Sequence, residues 1–202
     1  MRTIAAPTQG PGPALPEKAH AITLAAIEAI HEKGLDRVKL TDVARKASVT
    51  TGAVTYYFED KDELLLAAFR EVSAALFEQI RAYDGGWCIE RFVNSLPTSP
   101  TRRRHWSVWL AFCGRAQTSE PINEIYRDFY AALEQTLADE TGEADRARAR
   151  ALAGSTIAAV DGVGLCATLH PKLWPGVRQR DALRALLGEG LGLTDHEENG
   201  HG

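Results

Sequence analysis

The feature that most constrains this chain is a five-residue joint, Lys46-Ala-Ser-Val-Thr50, between two short segments of helical character. The first, over roughly 41–47, turns Val43, Ala44 and Ala47 inward. The second begins after Thr50, whose hydroxyl can cap it, and ends near Phe58. Two helices joined by so short a turn leave the second free to present one whole face to a partner.

That face has an unusual composition. "TTGAVTYYF" offers hydroxyls and small groups outward, while Val49, Val54 and Phe58 can anchor its back to the helices on either side. Gly52 lets another molecule's phosphate approach the backbone closely. Tyr56 and Tyr57 supply rigid, hydroxyl-tipped contacts, and Lys61 sets a cation beside the N-terminus of the next helix, where phosphate is attracted twice over. These dimensions are those of a helix-turn-helix that enters a DNA major groove. Thr50, Thr51, Ala53, Thr55, Tyr56, Tyr57 and Lys61 are expected to form most of the contact surface, with Gly52, Lys39 and Thr41 completing it. The alternatives are that Tyr56 and Tyr57 are packing residues and Lys61 a solvated lysine; adjacent helix positions, however, cannot both face a core.

The rest of the chain reads as helix, without any alternating run long enough for a sheet strand. A first helix runs from about Pro16 to Gly34 on the stripe Ala19, Ile22, Ala26 and Ile30. A fourth starts at Asp60 and runs to about Tyr83 on Leu64, Ala68, Val72, Leu76 and Ile80. "DGG" at 84–86 breaks it, and further helices fit 87–96, 101–117, 120–140, 144–169 and 178–191. The expected fold class is all-α with about nine helices: a three-helix head and a helical ligand-binding and dimerisation body. The expected division is a disordered tail at 1–15, a head at 16–60, a body at 61–193 and a flexible tail at 194–202.

Composition excludes several classes. No run approaches the ~20 apolar residues that span a bilayer, and the N-terminus lacks the apolar stretch of a signal peptide. Cys88, Cys113 and Cys166 are odd in number and widely spaced, which argues against a disulfide framework and a zinc site and fits a reduced cytoplasm. His170 has no metal partner in sequence reach. Net charge is −4, but Lys39, Arg45 and Lys46 face Asp42 alone within 39–58, a local balance of +2. No HExxH, GxSxG or glycine-rich phosphate loop and no paired-carboxylate helix site of the ExxH type is present, so neither an enzyme nor a cofactor is expected.

"LTDVARKASVTTGAVTYYFEDKDELL" resembles the DNA-binding segment of the TetR family of bacterial repressors, through Asp42-Val43-Ala44, Ala47, Val49-Thr50, Gly52, Tyr57-Phe58 and Lys61 to Leu64. Ser48 stands where the family usually has a turn glycine, which costs energy if φ there is positive. Lys39 stands where a capping Thr or Ser is common. "WLAFC" at 109–113 and "AVDGVGLCATL" at 159–169 resemble the C-terminal domain of the choline-responsive repressors of betaine synthesis and their relatives. The resemblance implies a repressor that binds a double-stranded DNA operator and answers to a small-molecule effector. A DNA-binding or scaffold protein without a ligand, and an all-α enzyme, are the competing classes.

Dimerisation is expected through the last two helices, by way of Ile157, Val160, Leu165, Leu183, Leu186, Leu187 and Leu191, which offer more apolar surface than one terminal helix leaves in water. The aromatic residues of the middle helices read either as core or as the lining of a cavity. The expected pocket comprises Trp106, Trp109, Phe112, Cys113, Tyr126, Tyr130 and Asp161, with Asp161 either a structural hydrogen-bonding group or the carboxylate that meets a cation. Arg102-Arg103-Arg104 opposes the dipole of the helix it opens. It reads either as a solvated face or as a salt-bridge network to acids of the fourth helix or the head.

Overall fold

The computed structural model describes residues 15–84 and 86–188. Among the described residues the chain forms nine helices and no strand, as the periodicity predicts. They are α1 (Glu17–Lys33), α2 (Leu40–Lys46), α3 (Thr51–Tyr57), α4 (Lys61–Arg81), α5 (Ile89–Val93), α6 (Pro100–Ala116), α7 (Glu120–Glu140), α8 (Arg146–Leu169) and α9 (Gly176–Leu187). Only α5 is much shorter than expected. Cys88 stays extended at its start, and tight bonds from Ser95 N–H to Phe92 O (3.1 Å) and Leu96 N–H to Val93 O (3.1 Å) end it early. The expected end of the last helix, including Leu191, lies outside the described residues, as do both tails.

The start of the chain follows its local signals closely. Gly34 closes α1 at φ 78°, returning its N–H to Ile30 O at 2.7 Å. Lys39 occupies the cap of α2, where an ammonium has no lone pair to offer the helix N–H groups. Only the returning half of a capping box therefore forms, Lys39 N–H donating to Asp42 Oδ2 at 3.1 Å. Ser48 sits at φ 55°, the one non-glycine residue with positive φ among those described. The expected strain at the turn is thus present. Thr50 Oγ1 accepts from Ala53 N–H at 3.1 Å and starts α3, and Asp60 Oδ1 accepts from Glu63 N–H at 2.8 Å and starts α4.

The chain divides into two compact units. One holds the residues up to Ala75 together with Ser107–Ala132, the other Leu76–Trp106 together with the residues from Leu133 onward. In the first, α1, α2 and α3 pack on one another around Ile22, Ile30, Val43, Val54 and Phe58, all buried. In the second, α9 packs on α8 and α5. The short α5 is the tie point of that unit. Glu90 pairs with Arg180 at 3.2 Å and Arg184 at 3.7 Å. Arg91, 2% exposed, donates Nε–H to Ile80 O at 2.9 Å and Nη1–H to Glu140.

One open reading gains partners and one expectation needs correction. Arg102 donates to Thr98 Oγ1 at 2.7 Å and Arg103 to Thr98 O at 3.3 Å, so these two cations staple the loop before α6. The helix α8 carries a window of mean hydropathy 1.5, long and apolar enough by composition to cross a membrane, although no such run was expected. Its many alanines raise the average while lacking the bulk that makes a run look apolar by eye. One third of that window is buried within the chain.

Candidate nucleic-acid interface and ligand site

α3 buries one residue, Val54, and leaves Thr51, Gly52, Thr55 and Tyr56 exposed. Tyr56 is 81% exposed and Tyr57 half-buried, their rings edge-to-face at 4.9 Å. The pair divides its duties: Tyr57 braces the helix and orients Tyr56 outward. Thr50 lends its hydroxyl to the cap, and Thr55 Oγ1 donates to Gly52 O at 3.2 Å, which leaves lone pairs of that oxygen facing outward. Lys39 and Thr41 are exposed at the start of α2 and Ala53 is half-buried. Lys61 is partly committed inside: its Nζ donates to Leu35 O at 3.1 Å, tying the start of α4 to the loop after α1.

Gly52 is the informative residue. A glycine inside a helix costs about 1 kcal/mol relative to alanine. An added Cβ would meet only Thr50 Oγ1 at 3.8 Å, an ordinary contact. Nothing among the described residues requires the missing side chain.

The aromatic residues of the first unit form one cluster. Trp109 lies 5.6 Å from Tyr126, 4.6 Å from Phe129 and 6.0 Å from Tyr130, between ring centroids. Phe69, not foreseen as part of it, stacks on Phe112 at 4.6 Å and touches Trp109 at 5.0 Å. Its place on the stripe of α4, four residues before Ser73 and after Leu65, could have signalled it. A flat or spherical guest held between two rings needs about 7 Å between them, so these rings enclose no guest among themselves. Phe69, Trp109 and Phe112 are buried, while Tyr126, Phe129, Tyr130 and Cys113 are half-buried. Trp106 and Asp161 belong to the second unit. Trp106 is 4% exposed and donates its indole N–H to Ser95 O at 2.7 Å; Asp161 is half-buried on α8.

Residues 22–68 match the family model of bacterial regulatory proteins of the tetR family, and residues 92–192 that of the BetI-type transcriptional repressor C-terminal domain. The chain belongs to the TetR family. It is a DNA-binding transcriptional regulator of BetI type. The HTH-type transcriptional regulator BetI of Burkholderia mallei is 30% identical over 153 residues, covering 70% of this chain and 76% of that one. The crystal structure of a transcriptional regulator from Rhodococcus sp. Rha1 is similar at TM-score 0.77 and 28% identity, covering 86% of this chain and 96% of that one. A putative transcriptional regulator from Saccharomonospora viridis, solved in complex with choline, shares the fold at TM-score 0.74 and 23% identity, covering 86% of this chain and 97% of that one.

In this TetR-family chain the residues expected at a dimer interface fall into two sets. Ile157, Val160, Leu183 and Leu187 are buried within the chain, where α8 and α9 meet. Leu165 and Leu186 are 42% and 58% exposed. Missed by the sequence is the full outward stripe of α8, Ala151, Ser155, Ala158, Gly162, Leu165 and Leu169, all exposed at alternating spacings of four and three. Ser155, Ala158, Gly162, Cys166, Trp174 and Leu186 line an open, largely apolar groove of about 780 Å³ between α8 and α9. Arg45 was counted in the local charge but not placed at the interface. It is exposed on α2 one turn beyond Thr41.

Proposed function

We propose that the protein is a cytoplasmic, non-enzymatic repressor that grips a palindromic operator as a homodimer and releases it when a small organic effector binds. The observation that carries the DNA reading is Gly52, together with the exposed hydroxyl face around it. A residue that weakens its own helix without an internal reason answers to something outside, and a phosphate approaching the backbone is the partner that α3's polarity fits. Residues 16–60 act as the reading head, with Lys39, Thr41, Arg45, Thr50, Thr51, Thr55 and Tyr56 facing the duplex. Lys61 keeps two N–H donors for phosphate beyond the one given to Leu35.

The outward stripe of α8 supports the dimer reading by the same logic. An added Cβ on Gly162 would meet nothing within 4 Å, so its absence serves a close helix–helix approach from a second copy. Leu165, Leu169 and Leu186 then lose their exposure in an isologous interface. Two heads are needed because half-sites lie about one helical turn apart.

For the effector, the half-buried rings of Tyr126, Phe129 and Tyr130 form a wall, and each ring facing a cation contributes roughly 0.5–2 kcal/mol. We favour an organic cation, with Trp109, Phe112, Cys113, Tyr126 and Tyr130 of the first unit and, separately, Trp106 and Asp161 of the second as the residues to test. The near-parallel stacking of Trp109 on Tyr126 favours a second reading, a flat neutral aromatic guest laid against the outside of that stack, with Asp161 structural.

Gly52→Ala separates DNA reading from folding. The variant is expected to melt higher, by up to about 1 kcal/mol of stability, and to bind the palindrome upstream of its own gene more weakly. Equal or tighter binding rejects the reading of α3. A thermal-shift series with choline, a polyamine and a neutral aromatic decides the effector: stabilisation by choline that vanishes in Asp161→Asn supports the cation, and stabilisation by the aromatic alone rejects it.

A further inference from the structure

The geometry points to Trp106 and Gly164 as a spacer pair that fixes the distance between α6 and α8 and thereby the pose of α8's outward face; this rests on the dimer reading above. Trp106 has no freedom to turn. Its indole N–H is held by Ser95 O at 2.7 Å and its ring is buried. The ring's far edge lies against Gly164. A Cβ built there would stand 2.1 Å from Cη2, 2.4 Å from Cζ3 and 2.5 Å from Cζ2, all well inside the ~3.5 Å of ordinary contact. Three atoms of a fixed, rigid ring thus rest on the bare backbone of α8, and no rotamer change can relieve an added methyl.

The start of α6 is secured from its other end as well. Arg102 and Arg103 hold Thr98, and the Thr98 methyl is 3.6 Å from where a Cβ of Gly176, the first residue of α9, would lie. Trp106 on α6 and Thr98 in the loop its arginines hold therefore lie against the two helices that border the apolar groove. Gly164 also lies directly before Leu165, one of the exposed stripe residues, about 100° away around α8. A shift of α8 large enough to clear a methyl at Gly164 carries Leu165, Gly162 and Leu169 with it. In an isologous interface each copy contributes that shift, and close-packed helix faces do not absorb it.

A purely structural tryptophan would behave differently. Filling Gly164 would lower the melting temperature, yet the folded fraction would dimerise as before. The test is sedimentation of the full chain alongside thermal melting, on wild type, Gly164→Ala, Trp106→Phe and the double variant. Phenylalanine keeps an aromatic core residue but lacks the atoms that meet Gly164.

Gly164→Ala is expected to raise the dimer dissociation constant at least tenfold, and adding Trp106→Phe to recover most of that loss. Should Gly164→Ala yield no soluble protein, recovery of soluble dimer in the double variant supports the spacer equally. The inference is overturned if Gly164→Ala dimerises like wild type, or if the double variant is no better than Gly164→Ala alone. A wild-type chain that runs as a monomer at micromolar concentration rejects the dimer reading itself, a different result from a wild-type dimer that the variants leave unmoved.

Discussion

α3 and α8 share one condition and differ in everything that follows from it. Each is a helix with one face buried and the opposite face open, and each carries a glycine on the open face that nothing inside the chain requires, Gly52 and Gly162. Around Gly52 stand hydroxyls and a tyrosine; around Gly162 stand alanine, serine and leucine. The burial pattern says that a partner comes close, and the side chains say which one. Polar groups with free lone pairs suit phosphate and base edges, and small apolar groups suit another helix. Gly164, two residues from Gly162, is the control: its missing side chain is explained inside the chain by Trp106.

The largest test of the contrast is on α8. Leu165→Glu places a charge on the open face without touching the core, so it should convert dimers to monomers and weaken operator binding a hundredfold or more. Sedimentation and a DNA-binding titration read both. Leu187→Glu should behave otherwise, because Leu187 is buried within the chain. It should lower the melting temperature steeply, by several kcal/mol of stability, through an uncompensated buried charge. If both variants fold normally and only dissociate, the division between the two leucines is wrong.

On α3 the matching change is Tyr56→Ala. The ring is exposed, so the melting temperature should hold within a degree or two, while DNA affinity falls by a factor of ten to a hundred, about 1–3 kcal/mol, and sequence preference changes. Uniform weakening over all sequences would reduce Tyr56 to a phosphate contact. Unchanged affinity would put the reading surface elsewhere.

These two helices were not equally legible. The boundaries of α2 and α3 and the cap at Thr50 follow from residues within four positions of one another, so their chemistry is written locally, while the strained turn at Ser48 was legible only through the family resemblance. The stripe of α8 was half seen. Leu165 was expected at an interface together with Ile157 and Val160, but both faces are rich in Ala and Gly, and only the tertiary structure tells that Ile157 and Val160 point inward while Ala158 and Leu165 point out. The leucines of α9 hid the same ambiguity. Arg102 and Arg103 pair with a loop residue four and five positions back, which charge patterning cannot suggest because the partners are a hydroxyl and a carbonyl. The meeting of Trp106 with Gly164 spans 58 positions, and no local rule joins them.

A smaller effect sharpens the account of the turn. Ser48 holds φ 55°, where a side chain costs roughly 1–2 kcal/mol that glycine escapes. Ser48→Gly should therefore raise stability by about 1 kcal/mol, visible as a few degrees in thermal melting. DNA affinity should stay the same if the turn only joins α2 to α3. A gain in stability accompanied by altered affinity would mean that the strain at Ser48 sets the angle at which α3 is presented.

The smallest expected effect is the share of the pH dependence that Asp42 carries in the head. The Asp42 carboxyl is held below the usual carboxylate range, first by the hydrogen bond from Lys33 Nζ at 2.6 Å, then by the Lys39 N–H and by the charges of Lys33 and Arg45. Burial opposes these and does not outweigh them. A carboxyl whose folded pKa lies below its unfolded one stabilises the fold fully above the unfolded value. That contribution is lost as pH falls through the folded value, when a proton displaces the Lys33 ammonium. Glu32 and Asp139 are lowered as well, Glu32 by Lys46 and Asp139 by Gln135 and then Arg146, so the whole chain weakens over the same acid limb. Asp42→Asn keeps an oxygen for the Lys39 N–H but cannot titrate. Its melting temperature should be lower than wild type at neutral pH, and the gap should close as the pH falls below about 4. The gap should be absent from α8, because the partners of Asp42 lie on α1, on α2 and at the start of α2, so local hydrogen exchange ought to show it in α1 and α2 alone. A gap that stays constant down to pH 3 would mean that Asp42 acts through shape, and that charge contributes nothing to holding the turn.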